Sequence, residues 1–371
     1  MADSTSTPPR AYTIGTRKSQ LAMVQTELVQ TQLKSLYPHH FRIEAMSTTG
    51  DKVLDVALSK IGSKSLFTKE LDIALEDRSV DLVVHSLKDV PTTLPEGMEL
   101  GAILEREEPN DALIVKKSLM ETYKTIDKLP AGSVIGTSSV RRIAQLKKEF
   151  PLLRFEDVRG NLNTRLKKLD DPNAPYTALI LAYAGVHRLG WNDRITQTLP
   201  TETILHAVGQ GALGIQCRKD DTAVLELLAP LNHWDTRLRC KAERAFMRYL
   251  EGGCSVPLGV STTLEVADGK GRTLWLKGSV TSLDGSRQVV AEDEMVLSGV
   301  SHQEDEMVAE GLGERLGQRL ASMGAQAILD EIKTGRRPVL SDQQEDLLAQ
   351  VAQEIQTPQV QTPRSVTEFS L

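Results

Sequence analysis

This sequence has few cysteines and few aromatic residues, and it has no surplus of positive charge. It has three cysteines in 371 residues and no Cys-x-x-Cys pair, which excludes a disulfide framework and a zinc ribbon. Aromatic residues make up 4% of the chain, and its formal net charge is -6. It therefore lacks the stacking platforms and the general basic field of a nucleic-acid binder. Any anion that binds here must be met by local clusters of basic side chains.

Long apolar runs and histidine clusters are missing as well. No run approaches the ~18 apolar residues that a membrane span requires. The seven histidines show no H-x-x-x-H or H-E-x-x-H spacing, so we expect no catalytic metal. Residues 1–9 are polar and include Asp3, which argues against a signal or transit peptide. We therefore expect a cytoplasmic protein without a membrane partner.

Hydrophobic periodicity divides the chain into two kinds of region. From Tyr12 to about Leu231, strand-like runs alternate with stretches of helical period, as in α/β architecture. After Leu231, a long helix, three alternating strands and a helix over roughly Glu304–Ile332 indicate a smaller α+β domain. The segment Ala207–Arg218 is predicted to return to the first sheet as a strand.

These patterns predict three domains and a tail. Residues 1–106 with 208–231 form domain 1, residues 107–207 form domain 2, and residues 232–337 form domain 3. Residues 338–371 are rich in Gln and Pro, so we expect that tail to be largely disordered.

Basic side chains recur where a predicted strand gives way to a helix. Such junctions offer free backbone N–H groups and the positive end of a helix dipole, which together bind anions. Cations placed there oppose the dipole, and a multiply anionic ligand would offset that cost. Arginine's planar fork suits carboxylate or phosphate. For any single residue, an ordinary surface arginine remains the alternative. The three junctions are Gly15–Ser19, Gly136–Arg142 and Arg159–Arg165.

A carboxylate stands at the end of another predicted strand. Residues 86–89 (Ser-Leu-Lys-Asp) directly follow an apolar run, where α/β proteins place groups that face a ligand. Asp89 is suited to holding a substrate N–H or moving a proton. An Asx-turn ahead of Pro91 explains it nearly as well. We expect His85, just inside the strand, to be a satisfied core histidine.

The glycine motif and the cysteines allow several interpretations. Residues 209–214 (GQGALG) formally match a dinucleotide fingerprint, but no amphipathic helix follows, so close backbone packing at a bulge or hinge is favoured. We expect Cys217 and Cys240 to be small core hydrophobes. Cys254 lies in the glycine-loosened turn Glu251–Pro257, where a thiol can be exposed and nucleophilic. Nothing nearby in the sequence identifies a base for it.

Taken together, eight sequence blocks resemble the porphobilinogen deaminase (hydroxymethylbilane synthase) family of haem biosynthesis. The resemblance extends from roughly Tyr12 to Thr334. The blocks are GTRKSQLA at 15–22, STTGDK at 47–52, KSLFTKEL at 64–71, DLVVHSLKDVPT at 81–92, GTSSVRR at 136–142, VRGNLNTRL at 158–166, GQGALG at 209–214 and ERAFMRYLEGGCSVP at 243–257.

This resemblance implies a fold and a reaction. The fold is two α/β lobes like those of type II periplasmic binding proteins, plus a smaller α+β C-terminal domain. The reaction, a transferase step of tetrapyrrole biosynthesis, joins four porphobilinogen molecules head to tail with loss of ammonia, giving hydroxymethylbilane. The implied partners are porphobilinogen and oligopyrrole intermediates, with no nucleic acid, and we expect a monomer.

The same resemblance implies roles for individual residues. Cys254 would carry a dipyrromethane cofactor through a thioether. Asp89 would hold the pyrrole N–H groups and stabilise the cation that forms as ammonia leaves. Lys64 and Phe67 would lie in or beside a mobile loop over the cleft. The residues implied to bind the cofactor and substrate are Lys88, Arg17, Ser19, Ser138, Arg141, Arg142, Arg159, Arg165, Arg188 and Gln210.

Two other classes of function stay open. A non-catalytic anion-binding module would explain the arginines but would leave Cys254 and the third domain without a role. A cysteine-nucleophile acyl or alkyl transferase would turn over at Cys254, whereas the family reading makes that cysteine a permanent anchor. The mass of the intact protein separates the three by showing no adduct, a transient adduct or a stable dipyrrole.

Overall fold

A computed structural model describes residues 10–52, 67–250, 256–267 and 271–334. Cys254, Lys64 and the tail 338–371, on which predictions were made above, lie outside these described residues. The strands are β1 (Ala11–Arg17), β2 (His40–Met46), β3 (Leu82–Ser86), β4 (Met98–Ile103), β5 (Asp111–Val115), β6 (Val134–Gly136), β7 (Arg154–Glu156), β8 (Ala178–Ala182), β9 (Gln197–Thr198), β10 (Leu213–Arg218), β11 (Leu258–Ala267), β12 (Gly271–Thr281) and β13 (Gln288–Leu297). The α-helices are α1 (Gln20–Leu36), α2 (Thr49–Lys52), α3 (Lys69–Glu76), α4 (Val140–Glu149), α5 (Leu162–Asp170), α6 (Tyr183–Arg188), α7 (Thr222–Leu228), α8 (Trp234–Tyr249), α9 (His302–Leu320) and α10 (Gln326–Thr334).

Two five-stranded sheets share one strand arrangement. The first lobe has the order β2-β1-β3-β10-β4, and the second lobe has the order β7-β6-β8-β5-β9. In each, three parallel strands are followed by an antiparallel strand that pairs with the fifth. The chain passes between the lobes over residues 104–110 and 199–212. The predicted pair of α/β lobes is confirmed.

Apolar strands hold each lobe together. Both β5 and β8 are almost fully buried, which matches their near-continuous apolar sequences and their position inside a sheet that helices cover on both faces. In the first lobe, Ile14 of β1 and Val29 of α1 belong to the same buried cluster. The alternation of strand and helix in the sequence therefore reflects alternating layers in the fold.

Strand β10 returns to the first sheet, as predicted, but it is shorter than the predicted Ala207–Arg218. The preceding glycines Gly209 and Gly211 have φ angles of +69° and +88°. This left-handed backbone cannot continue a strand. A Cβ atom on Gly211 would also overlap the Glu107 carbonyl, so the predicted close backbone packing at the glycine motif is confirmed.

The third sheet is an antiparallel meander, β11-β12-β13. Asp284-Gly285, a sequence pair typical of hairpin turns, lies between β12 and β13, with Gly285 at φ +80°. Phe246 of α8 and Leu316 of α9 share one buried core with this sheet. The single helix predicted over Glu304–Ile332 is wrong. It breaks between α9 and α10 because Gly324 adopts φ +104°.

Helix starts bring side chains to the ends of the parallel strands. Ser19 caps α1 by accepting a hydrogen bond from the Ala22 N–H at 3.3 Å. In the second lobe, Ser139 caps α4 and Asn161 caps α5 in the same way. The carboxyl ends of neighbouring parallel strands meet at one edge of a sheet, so each lobe presents its junctions along a single edge.

Candidate active site

A cleft of about 720 Å³ is lined by both lobes. It collects most of the described residues that the resemblance assigned to ligand binding. Lys18 and Lys168 also line it, although the sequence pattern did not single out either as a site residue. The predicted site residues on its walls are Arg17, Ser19, Phe67, Lys88, Asp89, Ser138, Arg142, Arg159, Arg165 and Arg188.

Two predicted residues lie behind the cleft wall instead of lining it. Arg141 is 4% exposed, and its Nη1 donates to the Leu205 carbonyl at 2.7 Å. Gln210 is fully buried and donates from Nε2 to the Pro109 carbonyl at 2.6 Å. Its Oε1 lies 3.4 Å from the Lys88 ammonium. Gln210 therefore contacts a residue of the cleft from behind.

Asp111, which the sequence analysis missed, joins these side chains. It is fully buried at the start of β5. Its Oδ1 accepts from Arg142 Nε and Nη2 at 3.1 and 2.8 Å and from Gln210 Nε2 at 2.9 Å. Its Oδ2 lies 2.8 Å from Arg141 Nη1. Burial alone would raise the pKa of Asp111, but Arg141 and Arg142 outweigh burial and hold that pKa well below its usual range.

A signal for Asp111 was present in the sequence. It opens the apolar run Asp-Ala-Leu-Ile-Val at 111–115, and a charge on a buried strand needs a partner. The sequence did not show which partner. Arg141 and Arg142 follow 30 and 31 residues later, so the fold alone brings the three together.

Asp89 closes a short 3₁₀ turn, Leu87–Asp89, at the end of β3. Within the described residues, its carboxylate makes no hydrogen bond or ion pair. An Asx-turn is also excluded on chemical grounds, because Pro91, two residues on, has no N–H to donate. The carboxylate therefore faces the cleft without a partner in the described part of the chain.

The basic groups of the cleft repel one another. The pKa of Arg165 is lowered to about 10, chiefly by burial and also by repulsion from Arg142 and Arg159. Burial lowers the pKa of Lys88 to about 8, with Asp89 acting in the opposite direction. An anionic ligand would relieve both effects, since opposite charge favours the protonated forms.

Local contacts fix several of these side chains in place. Arg165 Nε donates to the Gly160 carbonyl at 2.8 Å, and Arg188 Nη2 donates to the Gly211 carbonyl at 2.6 Å. The Arg17 guanidinium lies 4.3 Å from the centre of the Phe67 ring. The Ser138 hydroxyl donates to the Val158 carbonyl at 2.9 Å. The guanidinium groups are thus held by the fold before any ligand binds.

The remaining candidates for chemistry are core residues. His85 is 5% exposed and lies 2.9 Å from Gln216 Oε1, and burial lowers its pKa to about 4. Burial raises the pKa of the Cys217 thiol to about 12 and that of Cys240 to about 11. The predictions that these three are core residues are confirmed.

The part of the chain that the structure describes shows neither a metal centre nor a membrane span. Residues 10–52, 67–250, 256–267 and 271–334 contain no cluster of three or more His, Cys, Asp or Glu side chains able to hold a metal ion. No helix within those ranges combines the length and apolar character needed to cross a membrane.

Comparison with known protein families gives consistent matches. Residues 12–226 match the model described as "Porphobilinogen deaminase, dipyromethane cofactor binding domain". Residues 237–322 match "Porphobilinogen deaminase, C-terminal domain". The porphobilinogen deaminase of Nostoc sp. is 52% identical over 90% of this chain and 98% of its own length. That of Synechococcus elongatus is 54% identical over 90% of this chain and 99% of its own length.

Similarity to solved structures is weak. Lipoprotein Tp32 from Treponema pallidum has a TM-score of 0.38 and 12% identity, covering 60% of this chain and 90% of its own. The periplasmic VFT2 domain of Bordetella pertussis BvgS has a TM-score of 0.36 and 10% identity, covering 59% and 85%. The fold assignment therefore rests on the strand order described above.

The matched regions and the curated relatives span nearly all of the described chain, and they agree with the chemistry of the cleft. The chain therefore belongs to the porphobilinogen deaminase family, the transferases that use a dipyrromethane cofactor to join porphobilinogen into hydroxymethylbilane in tetrapyrrole biosynthesis.

Proposed function

We propose that the cleft holds a dipyrromethane attached to Cys254, that Asp89 is its catalytic residue, and that the surrounding basic side chains bind carboxylates. One observation carries this proposal. Among the described residues that line the cleft, Asp89 is the one acid, against eight Arg and Lys side chains. A site that concentrates cations around a single unpartnered carboxylate is suited to an anionic substrate on which positive charge develops.

The side chains of the cleft fit the proposed cofactor. Each pyrrole ring brings two carboxylates, so a growing chain needs many forked donors, and guanidinium groups provide them. The mutual repulsion within the group Arg142, Arg159 and Arg165 is relieved when such carboxylates bind. When bound, the dipyrromethane would supply the free pyrrole carbon to which the first unit is joined, and each later unit would join the end of the growing chain.

Asp89 acts at the step that releases ammonia. The C–N bond of the aminomethyl group breaks, ammonia leaves with the electron pair, and positive charge spreads over the substrate pyrrole and its N–H. The free pyrrole carbon would then form the new C–C bond, and its proton would pass to the released ammonia. The Asp89 carboxylate accepts the pyrrole N–H and stabilises the cation. It is available because the described residues give it no competing partner.

The basic residues bind and orient the substrate. Arg142 is held by Asp111 on the inner side of the wall, and Arg165 is held by the Gly160 carbonyl. A fixed fork costs less conformational entropy when a carboxylate binds. We propose that Arg17, Arg159 and Arg188 bind substrate carboxylates in the same way.

Three further predictions complete the proposal. The three separate sheets support the division into domain 1 (1–106 with 208–231), domain 2 (107–207) and domain 3 (232–337). We also propose that the protein is a monomer and is cytoplasmic. Size-exclusion chromatography with light scattering and microscopy of a tagged protein test these two points.

Replacing Asp89 by asparagine tests the catalytic assignment. Asp89→Asn keeps the size of the side chain but removes its charge. We expect turnover of cofactor-loaded protein to fall about 100-fold or more. Asp81→Asn is a matched control at the other end of β3, where Asp81 accepts from the Thr13 N–H at 2.7 Å, and it should keep its turnover. Near-normal turnover in Asp89→Asn contradicts the proposal.

A further inference from the structure

Arg244 of helix α8 contacts the backbone that directly follows Asp89. Its Nη1 donates to the Val90 carbonyl at 3.0 Å, and its Nη2 donates to the Pro91 carbonyl at 2.6 Å. The side chain is 6% exposed, and burial lowers the pKa of Arg244 to about 10. Within the described residues, Arg244 is the one donor to these two carbonyls. A helix packed on the third sheet thus fixes a loop of the first lobe.

The preceding residue of α8 fixes the other loop at this edge. Glu243 is fully buried and accepts from the Gly209 N–H at 2.8 Å. It also pairs with the buried Arg106. Consecutive residues of one helix therefore hold both chain segments that meet here, residues 88–91 and the glycine turn 209–212.

Asp89 depends on its backbone for orientation. The described part of the chain offers its carboxylate no hydrogen bond, so neighbouring side chains do not hold it. On its N-terminal side, the Leu87 N–H donates to the Ala212 carbonyl at 3.0 Å. On its C-terminal side, the loop is held by the two bonds from Arg244. A misplacement of about 1 Å in a reacting group can cost about 100-fold in rate.

We propose that Arg244 is a positioning residue that sets the place of the Asp89 carboxylate through the Val90 and Pro91 carbonyls. This inference rests on the catalytic role proposed for Asp89. Arg244 does not line the cleft, so it should affect turnover and leave the binding of substrate carboxylates unchanged.

A comparison of two arginines on the same helix tests this role. Arg237, two turns earlier, also reaches the first lobe, where its Nη1 donates to the Leu100 carbonyl of β4 at 3.1 Å. It therefore makes the same type of contact away from Asp89. We expect Arg244→Gln, loaded with cofactor, to lower kcat at least 10-fold with KM within about twofold. Arg237→Gln should keep kcat within about twofold of the wild-type value, even if it loses as much stability as Arg244→Gln does.

Arg244→Lys and a double variant distinguish positioning from general stability. Lysine keeps the charge and one donor group, so kcat of Arg244→Lys should lie between the wild-type and Arg244→Gln values. This variant also serves if Arg244→Gln does not fold. Adding Arg244→Lys to Asp89→Asn should lower turnover less than twofold further, because the carboxylate that is being positioned is already gone. Independent losses that multiply would overturn the inference.

The two proposals fail in different ways. If Asp89→Asn is inactive and Arg244→Gln keeps a normal kcat, the positioning role is wrong and the role of Asp89 stands. If Asp89→Asn is itself active, the proposed function fails, whatever Arg244 does. A raised KM with unchanged kcat in Arg244→Gln would also overturn the inference, since it would indicate a ligand-binding role.

Discussion

Replacing Asp111 by asparagine should destabilise the second lobe more than an ordinary surface substitution does. The buried carboxylate accepts three hydrogen bonds from Arg142 and Gln210 and pairs with Arg141. Arg141 and Arg142 are 4% and 6% exposed, so asparagine would leave two buried cations without their counter-charge. Breaking a buried pair by removing one partner costs about 3–5 kcal/mol. We expect the free energy of unfolding to fall by about that amount.

Urea denaturation of matched variants measures this loss. The control is Asp170→Asn in the same lobe, where Asp170 pairs with Arg194 at 2.8 and 3.0 Å but its side chain is 25% exposed. Asp170 is partly exposed, and its loss leaves one buried cation, Arg194, without a partner instead of two. The free energy of unfolding should therefore fall less in Asp170→Asn than in Asp111→Asn. The slope of free energy against urea should stay unchanged in both variants. A loss below about 1 kcal/mol in Asp111→Asn, or an equal loss in both, would refute the reasoning.

Three further outcomes are expected. Burial lowers the pKa of Lys88 to about 8, so kcat/KM should fall as the pH rises above 8 and the Lys88 charge is lost. Arginine keeps its charge at these pH values, so the same decline of kcat/KM in Lys88→Arg would contradict this prediction. Although burial opposes it, Arg106 holds the pKa of Glu243 down to about 2, against an unfolded value of about 4.3. Above pH ~4.5, Glu243 therefore contributes about 3 kcal/mol to the free energy of unfolding, and this contribution is lost as the pH falls toward 2. Melting curves of Glu243→Gln recorded at several pH values should not show this loss. Arg165→Lys keeps the charge without the fork, so intact masses should show elongation stalled at a partial adduct, and equal slowing of every step would argue against that.

The position of the cleft could be predicted because local rules determine it. Arg17 ends β1, and Asp89 and Arg159 follow β3 and β7. The parallel strands of each sheet end at a common edge. The residue types alone then indicated an anion site. Both steps need only short-range sequence, and both agree with where the structure places these side chains.

The sequence could not distinguish neighbours that face opposite ways. Arg141 and Arg142 are adjacent on α4, but successive helical residues point about 100° apart. Arg142 lines the cleft and Arg141 does not. Both pair with Asp111 of β5, so the residue types alone do not show which of the two faces the ligand. Long-range pairing of this kind has no signature in local periodicity.

The contacts made by α8 were missed for the same reason. Its apolar positions predicted a helix on the third sheet, and Phe246 occupies that core. The same periodicity gives no role to Glu243 and Arg244, the charged residues of this helix that contact the first lobe. Their partners lie 34 and 153 residues away. By contrast, the break at Gly324 had a local signal, because glycine within a helical pattern can mark an end.

The mass of the intact protein, as purified and after addition of porphobilinogen, tests the central claim most directly. We predict that wild-type protein carries a stable dipyrrole and that the substrate adds a ladder of masses one pyrrole unit apart. Cys254→Ser should lack both, whereas Cys217→Ser and Cys240→Ser, at buried thiols, should keep both. An active Cys254→Ser protein without an adduct, or wild-type protein that never carries one, would contradict the account.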